Sequence, residues 1–552
     1  MSAPSTRDRI PHSAGVTFNS PAAFWLGTAA VVAGVLAHVP DFAEASGMGF
    51  HMRGMSMSTL MLAGMALIVG GLALATYGIV PLGRAAAVVP HAPRVHVRAL
   101  DGARLTRQHW GLLFILGVAL IVDVMKPATL GFVAPGMKSE YGVTTKQIAS
   151  LPLVALIGTT IGSLLWGVLA DRVGRRAAIL LASILFIGTS ICGFMPSYGW
   201  NLFMCGLMGI AAGGMLPIVY ALMTESMPAR DRGWLVVLHG GLGSVGGYLA
   251  ASGLAALLEP HFTWRILWFA GLPTGLILLV LNRWIPESPR FLLARGRTTE
   301  AHEVMRRYGV VVTQDPPDVA PPTAQDAPPS DSSPSRVLSL FRGPYVPNTI
   351  SVGAYALGWG LMNWGFVTFT PTVLRDRGLS AASASRLLFL AALVSLPATV
   401  AVAYLYGRWS SKKSMILFAV LTAAALVAFA VVDPGAGGRN AGWFLPLMVA
   451  LLVGGSGITA MLSPYTAEVY PTHLRGTGSG FAAACSKVGG VVAPPLAAVV
   501  LTAVPGFTAL ALVMAAPVAL SAVILAVAGV ETRDRALEEM SLPSNVDVAR
   551  TA

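Results

Sequence analysis

Long apolar runs, divided by short polar clusters, repeat along almost the whole chain. A helix needs roughly 20 apolar residues to cross the hydrocarbon core of a bilayer. By that measure the pattern predicts fourteen spans. Two come first, at about 22–39 and 57–80, then six at about 110–134, 147–170, 177–195, 201–223, 235–257 and 265–284. After a polar stretch, six more follow at about 347–370, 382–406, 415–432, 442–465, 479–503 and 508–529. The expected fold class is therefore all-α: a polytopic membrane protein with two six-helix bundles, preceded by two extra N-terminal transmembrane helices.

The same pattern sets the expected boundaries: N-terminus 1–21, extra helix pair 22–80, basic loop 81–109, N-terminal bundle 110–284, central loop 285–346, C-terminal bundle 347–529 and tail 530–552. Within the central loop, the mixed charges of 300–308 suggest a short surface helix. Residues 313–335, crowded with proline, aspartate, serine and alanine, read as a disordered linker.

Composition agrees with a membrane protein. Of the 552 residues, 55% are hydrophobic and 11% charged, with mean hydropathy +0.69, whereas a soluble chain is about 25% charged. The net charge of +12 forms no continuous patch of the kind nucleic acid would need. It falls in clusters at 84–107, 171–176, 230–232, 290–307, 408–413 and in the tail, while the alternate loops 196–200 and 504–507 are nearly uncharged. With fourteen spans, every basic loop lands on one side. The positive-inside rule then puts both termini in the cytoplasm, in a multi-pass protein of the cytoplasmic (inner) membrane. Arg7 and Arg9 are expected to precede a retained anchor rather than a cleaved leader. Cys192, Cys205 and Cys485 all lie in apolar runs and read as packing residues.

One motif occurs twice: glutamate, two residues, proline, three residues, arginine-glycine. The copies are Glu225, Pro228, Arg232, Gly233 and Glu468, Pro471, Arg475, Gly476. Each closes an apolar run containing paired glycines, Gly213-Gly214 and Gly454-Gly455. A loop duplicated at equivalent places implies an internal repeat of helices, the architecture of a carrier whose halves rock against each other.

The loop Gly167-Val-Leu-Ala-Asp171-Arg172-Val-Gly174-Arg175-Arg176 resembles the signature of the major facilitator superfamily. Gly167 is expected to permit close helix approach, Asp171 to accept hydrogen bonds from a helix N-terminus across the domain interface, and Gly174 to make the turn. The counterpart in the second half, Gly407-Arg408-Trp-Ser-Ser-Lys412-Lys413, has Arg408 opposite Asp171. The stretch Pro286-Glu287-Ser288-Pro289-Arg290 resembles the motif of the sugar-porter and metabolite:proton symporter branches. The resemblance covers about 105–535. It implies a gating network of Gly167, Asp171, Arg172, Gly174, Arg175, Arg176, Glu225, Arg232, Glu468 and Arg475.

Ionisable residues inside spans are costly and mark function by default. Asp123 and Lys126 are three residues apart on one helix face, followed by Pro127. Asp123 is the expected proton acceptor and Lys126 the expected anion contact. His239, among glycines, is a candidate proton relay. Lys487, Asn363 and Trp364 complete the candidate substrate site. Cations outnumber carboxylates at depth, which favours an anionic solute. Met48, His51, Met52, Met55 and Met57 carry soft donors that could suit copper. With 22 methionines in the chain, packing explains them better, so neither metal nor cofactor is expected.

These features predict a monomeric, proton-coupled symporter taking up a small organic or aromatic carboxylate, in contact with lipid. The alternatives are a sugar or polyol carrier, an exporter of an organic solute or drug, and a transporter-derived receptor. No nucleophile–base pair or phosphate-binding glycine loop suggests an enzyme.

Overall fold

The bilayer core offers no partner for backbone N–H and C=O groups, so an apolar chain crosses it as helices that satisfy those groups internally. The computed structural model describes residues 15–80, 104–309, 334–434, 440–471 and 474–532. All regular structure among them is helical. The principal helices are α1 (Pro21–Leu36), α2 (Thr59–Ile79), α3 (Arg107–Tyr141), α4 (Ser150–Val173), α5 (Arg175–Gly188), α6 (Tyr198–Ser226), α7 (Ala229–Phe262) and α8 (Gly271–Leu281). The second half contributes α9 (Val346–Met362), α10 (Ala381–Ser395, resuming at Ala398–Arg408), α11 (Ser411–Val432), α12 (Phe444–Val469), α13 (Arg475–Ala503) and α14 (Phe507–Ala528).

Thirteen of the fourteen expected spans are present, among the described residues, as helices long and apolar enough to cross a membrane. The other, at 347–370, is interrupted. α9 ends at Met362, passes through a π-helical turn at Asn363–Val367, and resumes as Thr370–Asp376. The π turn places one extra residue in the ladder, a distortion common where helices carry function. The surface helix expected at 300–308 is present as Thr298–Arg307. The expected linker 313–335 lies outside the described residues, apart from its last two positions, which open the helix Pro334–Leu340. Residues 1–14, including Arg7 and Arg9, most of the basic loop 81–109, and the tail beyond 532 also lie outside them.

Packing repeats between the halves. In the first, α3 pairs with α7, α4 with α6 and α5 with α8; in the second, α9 pairs with α13, α11 with α14 and α10 with α12. Small residues permit the closest approaches: a Cβ added to Gly214 would strike the Trp166 ring, and one on Gly454 would strike Thr422 Oγ1. The halves meet through α7 against α10 and α12, and through α13 against α4.

The two leading helices form an antiparallel hairpin whose glycines interlock. A Cβ on Gly71 would lie 2.6 Å from the Gly27 carbonyl oxygen, and one on Gly34 would lie 2.6 Å from that of Gly64. This hairpin packs against α5. Its connecting segment is tied to the first bundle. Met52 N and Arg53 N donate to Glu140 Oε1 at 3.0 and 3.3 Å, and Gly54 N donates to the Pro196 carbonyl. Glu140 also accepts from Trp264 Nε1 at 2.8 Å and pairs with Arg265 Nη2 at 2.5 Å. Met52 is buried beside this knot, and exposed His51 lies 3.5 Å from Glu140 Oε2.

Candidate functional site: the seam between the bundles

On the face carrying the signature loop, Gly174 has φ +103°, and a Cβ there would collide with the Glu287 carboxylate. Glu287 caps α5. Its Oε1 accepts from Arg175 N at 2.9 Å and its Oε2 from Arg176 N at 3.2 Å. Burial pushes the Glu287 carboxyl above the usual carboxylate range, against the pull of those N–H groups and the Arg175 charge. The helix N-terminus held here is that of α5, within the same bundle, and its acceptor is Glu287 rather than Asp171. Asp171 is three-quarters exposed and pairs with Arg175 at 3.3 Å, across the Gly174 turn between α4 and α5. Arg175 also reaches Glu225 at 3.4 Å. Arg172 contributes its carbonyl, which accepts from Arg295 Nη2 at 2.6 Å, and Arg176 Nε donates to Asn282 Oδ1 at 3.0 Å. Gly167, expected at a close helix approach, faces open space: nothing lies within 4 Å of an added Cβ. The tight α4–α6 contact is made higher up the helix by Gly158 and Gly162.

The second half repeats the cap with different residues. Ser411 N and Ser411 Oγ donate to Glu531 Oε1 at 2.9 and 2.5 Å, and Ser410 Oγ bonds to the other carboxylate oxygen. Glu468 Oε2 accepts from Tyr406 at 2.8 Å and Thr532 Oγ1 at 2.6 Å. Arg475 lies within electrostatic reach of Glu468 and of Arg232. Arg232 Nη2 donates to the Met227 carbonyl at 3.0 Å. The halves touch here, with Gly407 against Trp234 and Gly233 against Glu468.

The opposite mouth is closed by two ion pairs that cross between bundles. Lys138 of α3 meets Asp376 at 3.3 Å, and Arg375 meets Glu259 of α7 at 3.0 Å. No sequence pattern announced either pair, because the partners lie 238 and 116 residues apart.

Between the mouths, Asp123 and Lys126 do not pair. The Lys126 ammonium donates to the Phe186 carbonyl at 2.5 Å and to Thr189 Oγ1 at 2.7 Å, and sits 3.9 Å from the Phe186 ring centroid. It is anchored inside the first bundle, against α5 and α8. Asp123 is 6% exposed, and among the described residues it has no hydrogen-bond or ion-pair partner. Its neighbour across the packing is Tyr220 of α6, whose hydroxyl abuts Gly240 near Ala460 of α12. His239 has Nε2 2.7 Å from Leu113 O and Nδ1 3.1 Å from Leu235 O; a neutral ring donates to one of the two, and the shorter contact ties α7 to α3.

Lys487 crosses the seam. From α13 it donates to the Thr159 carbonyl at 3.0 Å and to Ser163 Oγ at 2.5 Å, both on α4. It is the thirteenth residue of its helix, about 18 Å along it. One turn further, Gly490 faces Trp364 of the π turn and Leu156 of α4. Lys487 and Trp364 therefore share one junction of α4, α9 and α13. Asn363 belongs to the same π turn, where its carbonyl accepts from Thr368 N at 3.1 Å.

Residues 112–494, more than half of the chain, match the Major Facilitator Superfamily, and the chain belongs to that family. It is a multi-pass membrane transporter of small molecules, not an enzyme. It is 26% identical over 451 residues to the niacin transporter NiaP of Acinetobacter baylyi, covering 81% of this chain and 99% of the relative. It is 27% identical over 406 residues to the 4-hydroxybenzoate transporter PcaK of Pseudomonas putida, covering 70% of this chain and 85% of the relative. Its fold is similar to that of the partially occluded, inward-open xylose transporter XylE from E. coli (TM-score 0.62, 16% identity, 78% of this chain and 100% of that one).

Proposed function

We propose that this transporter is a proton-coupled importer of a small organic or aromatic carboxylate. The carrying observation is Asp123, a buried carboxylate without a hydrogen-bond or ion-pair partner, on α3, the helix whose Gly131 meets the Thr368 carbonyl of the other half. A carboxylate so placed is costly when ionised, so it holds a proton until the cavity opens to water. Lys487 is the anion contact. Its present acceptors, a carbonyl and a hydroxyl of the other bundle, are neutral, and a carboxylate is a stronger partner for an ammonium. Trp364 offers an aromatic wall at the same junction. Lys126 and His239, both engaged by carbonyls, hold α3 against its neighbours and support the site from within. The relatives named above for niacin and 4-hydroxybenzoate support an aromatic carboxylate.

In the same reading the signature loop and both termini face the cytoplasm of the inner membrane, the protein acts as a monomer, and the residues around Glu225 and Glu468 gate the cytoplasmic mouth. The test is uptake in proteoliposomes of nicotinate, 4-hydroxybenzoate and xylose, with and without an imposed pH gradient. Carboxylate accumulation should follow the gradient, and Asp123→Asn should lose accumulation while retaining exchange. Full gradient-driven accumulation by that variant removes Asp123 from the proton path; uptake of xylose alone replaces the substrate reading.

A further inference from the structure

At the mouth opposite the signature loop, a cleft of about 360 Å³ lies between the bundles, lined by Pro135, Lys138, Ser139, Arg375 and Asp376 among others. Its two cations come from different halves. Each is now held by a carboxylate of the other half: Lys138 by Asp376, and Arg375 by Glu259. The pairs differ in depth. Asp376 is 59% exposed and Lys138 29%, so solvent screens that contact and it breaks easily. Glu259 is 7% exposed, and its partner Arg375 reaches it from the cleft wall.

We propose that this cleft is an outer loading site for a carboxylate, where Arg375 leaves Glu259 for the incoming anion and Glu259 takes up a proton from the outer solution. The inference rests on the carboxylate-import reading and adds a site to it. A guanidinium binds any carboxylate by the same forked geometry, so an incoming anion competes directly with Glu259. Once Arg375 turns away, Glu259 is a buried carboxylate without its cation. Protonation removes that cost and balances the charge: one anion and one proton enter together. Losing the Arg375–Glu259 pair also removes one tie between α7 and the second bundle at this mouth, so loading favours opening there. The other ionisable groups at this end of the helices packed around Glu259 are Lys138, Asp376, His261, Arg386 and the Glu140–Arg265 pair. Arg265 is already committed to Glu140, and His261 and Arg386 are exposed to solvent. None of them replaces Arg375 as the direct partner.

The experiment is exchange of 4-hydroxybenzoate by the reconstituted full-length chain, with equal pH on both sides, between pH 5.5 and 8. In the unsubstituted protein the external half-saturation concentration should rise with pH, toward the limit of about tenfold per unit for one linked proton. Glu259→Gln should flatten that dependence to about twofold over the range, whereas Asp433→Asn, at a partly exposed pair outside the proposed sites, should keep it. Because Glu259→Gln could impair folding, proton uptake on 4-hydroxybenzoate binding is measured in weakly buffered Asp123→Asn protein, where about one proton per ligand is expected. A wild-type slope in Glu259→Gln, or no proton uptake in Asp123→Asn, overturns the loading site and leaves carboxylate import standing. Failure of the unsubstituted protein to exchange any carboxylate overturns both.

Discussion

Helices α5 and α11 occupy equivalent places in the two halves, yet one is enclosed and the other faces lipid. The span containing α5 is 94% buried, against 50% for α11. Both begin after a basic loop, both have their N-terminus capped by a distant glutamate, and both pack on the last helix of their bundle. The difference is the leading hairpin. Gly188 of α5 lies against Val31, Ile68 and Leu72, whereas Leu417, Val420 and Val431 of α11 are exposed. The internal repeat thus supplied one solution twice, and the added helices modified only the first copy. A covered α5 encloses Lys126, whose acceptors, Phe186 and Thr189, belong to that span. The equivalent surface in the second half stays open to the bilayer.

The comparison breaks most severely where the hairpin is tied down. Arg265 is fully buried and serves Glu140, Tyr141 and the carbonyls of Gly193 and Met195, while Glu140 receives two N–H groups of the hairpin's connecting segment. Removing one partner of a buried ion pair costs about 3–5 kcal/mol. Arg265→Ala should therefore lower Tm in detergent sharply. Asp433→Asn, which removes a partly exposed pair with Arg377 in the second half, should cost less than about 1 kcal/mol. Equal losses in the two variants would show that the first half is no more tightly tied than the second.

Much of this architecture was legible because a bilayer imposes length and charge rules on every span. The candidate site was less legible. Spacing placed Asp123 and Lys126 on one face, but residues three apart still diverge by about 60° around a helix. That suffices for one to meet α5 and the other Tyr220. Gly167 matched a motif without revealing which neighbour it faced. The cap on α11 did have a signal: Glu531-Thr532 follows α14 as Glu287-Ser288 follows α8, at an offset of 531 − 287 = 244 residues. The duplicated glutamate–proline–arginine loops are offset by 468 − 225 = 243. Cross-bundle pairs such as Arg375–Glu259 left no such trace, because nothing local demands them.

A milder break is to separate the hairpin's own helices. A Cβ at Gly71 would meet the Gly27 carbonyl and the Val31 side chain, so Gly71→Leu forces α1 and α2 apart. Overpacking of this kind costs about 1–3 kcal/mol. Cysteine accessibility on α5 to a lipid-soluble thiol reagent should rise, for example at an introduced Leu181→Cys, two turns before Gly188 on the same face. The corresponding reagent test on α11 at Leu417→Cys should show high labelling with or without the Gly71 substitution. Unchanged protection of α5 would mean that α1 and α2 do not cover it.

The smallest expected effect tests whether the two caps are equivalent. Glu287→Gln and Glu531→Gln each weaken a carboxylate bond to a helix N-terminus, a change of about 0.5–2 kcal/mol. Their pH behaviour should distinguish the first cap. The Glu287 carboxyl in the folded protein titrates above its ordinary value of 4.5, raised by burial. Between that value and the raised one, the folded state holds more protons than the unfolded state, so stability falls as pH rises through the window. The gain is fully present below the ordinary value. Glu287→Gln should remove this contribution, leaving Tm flatter with pH above 4.5 than in the unsubstituted chain. Tm measured across that range in both proteins decides the point. A variant whose Tm still falls with the original slope would place the titrating group elsewhere and leave Glu287 as a permanently ionised cap.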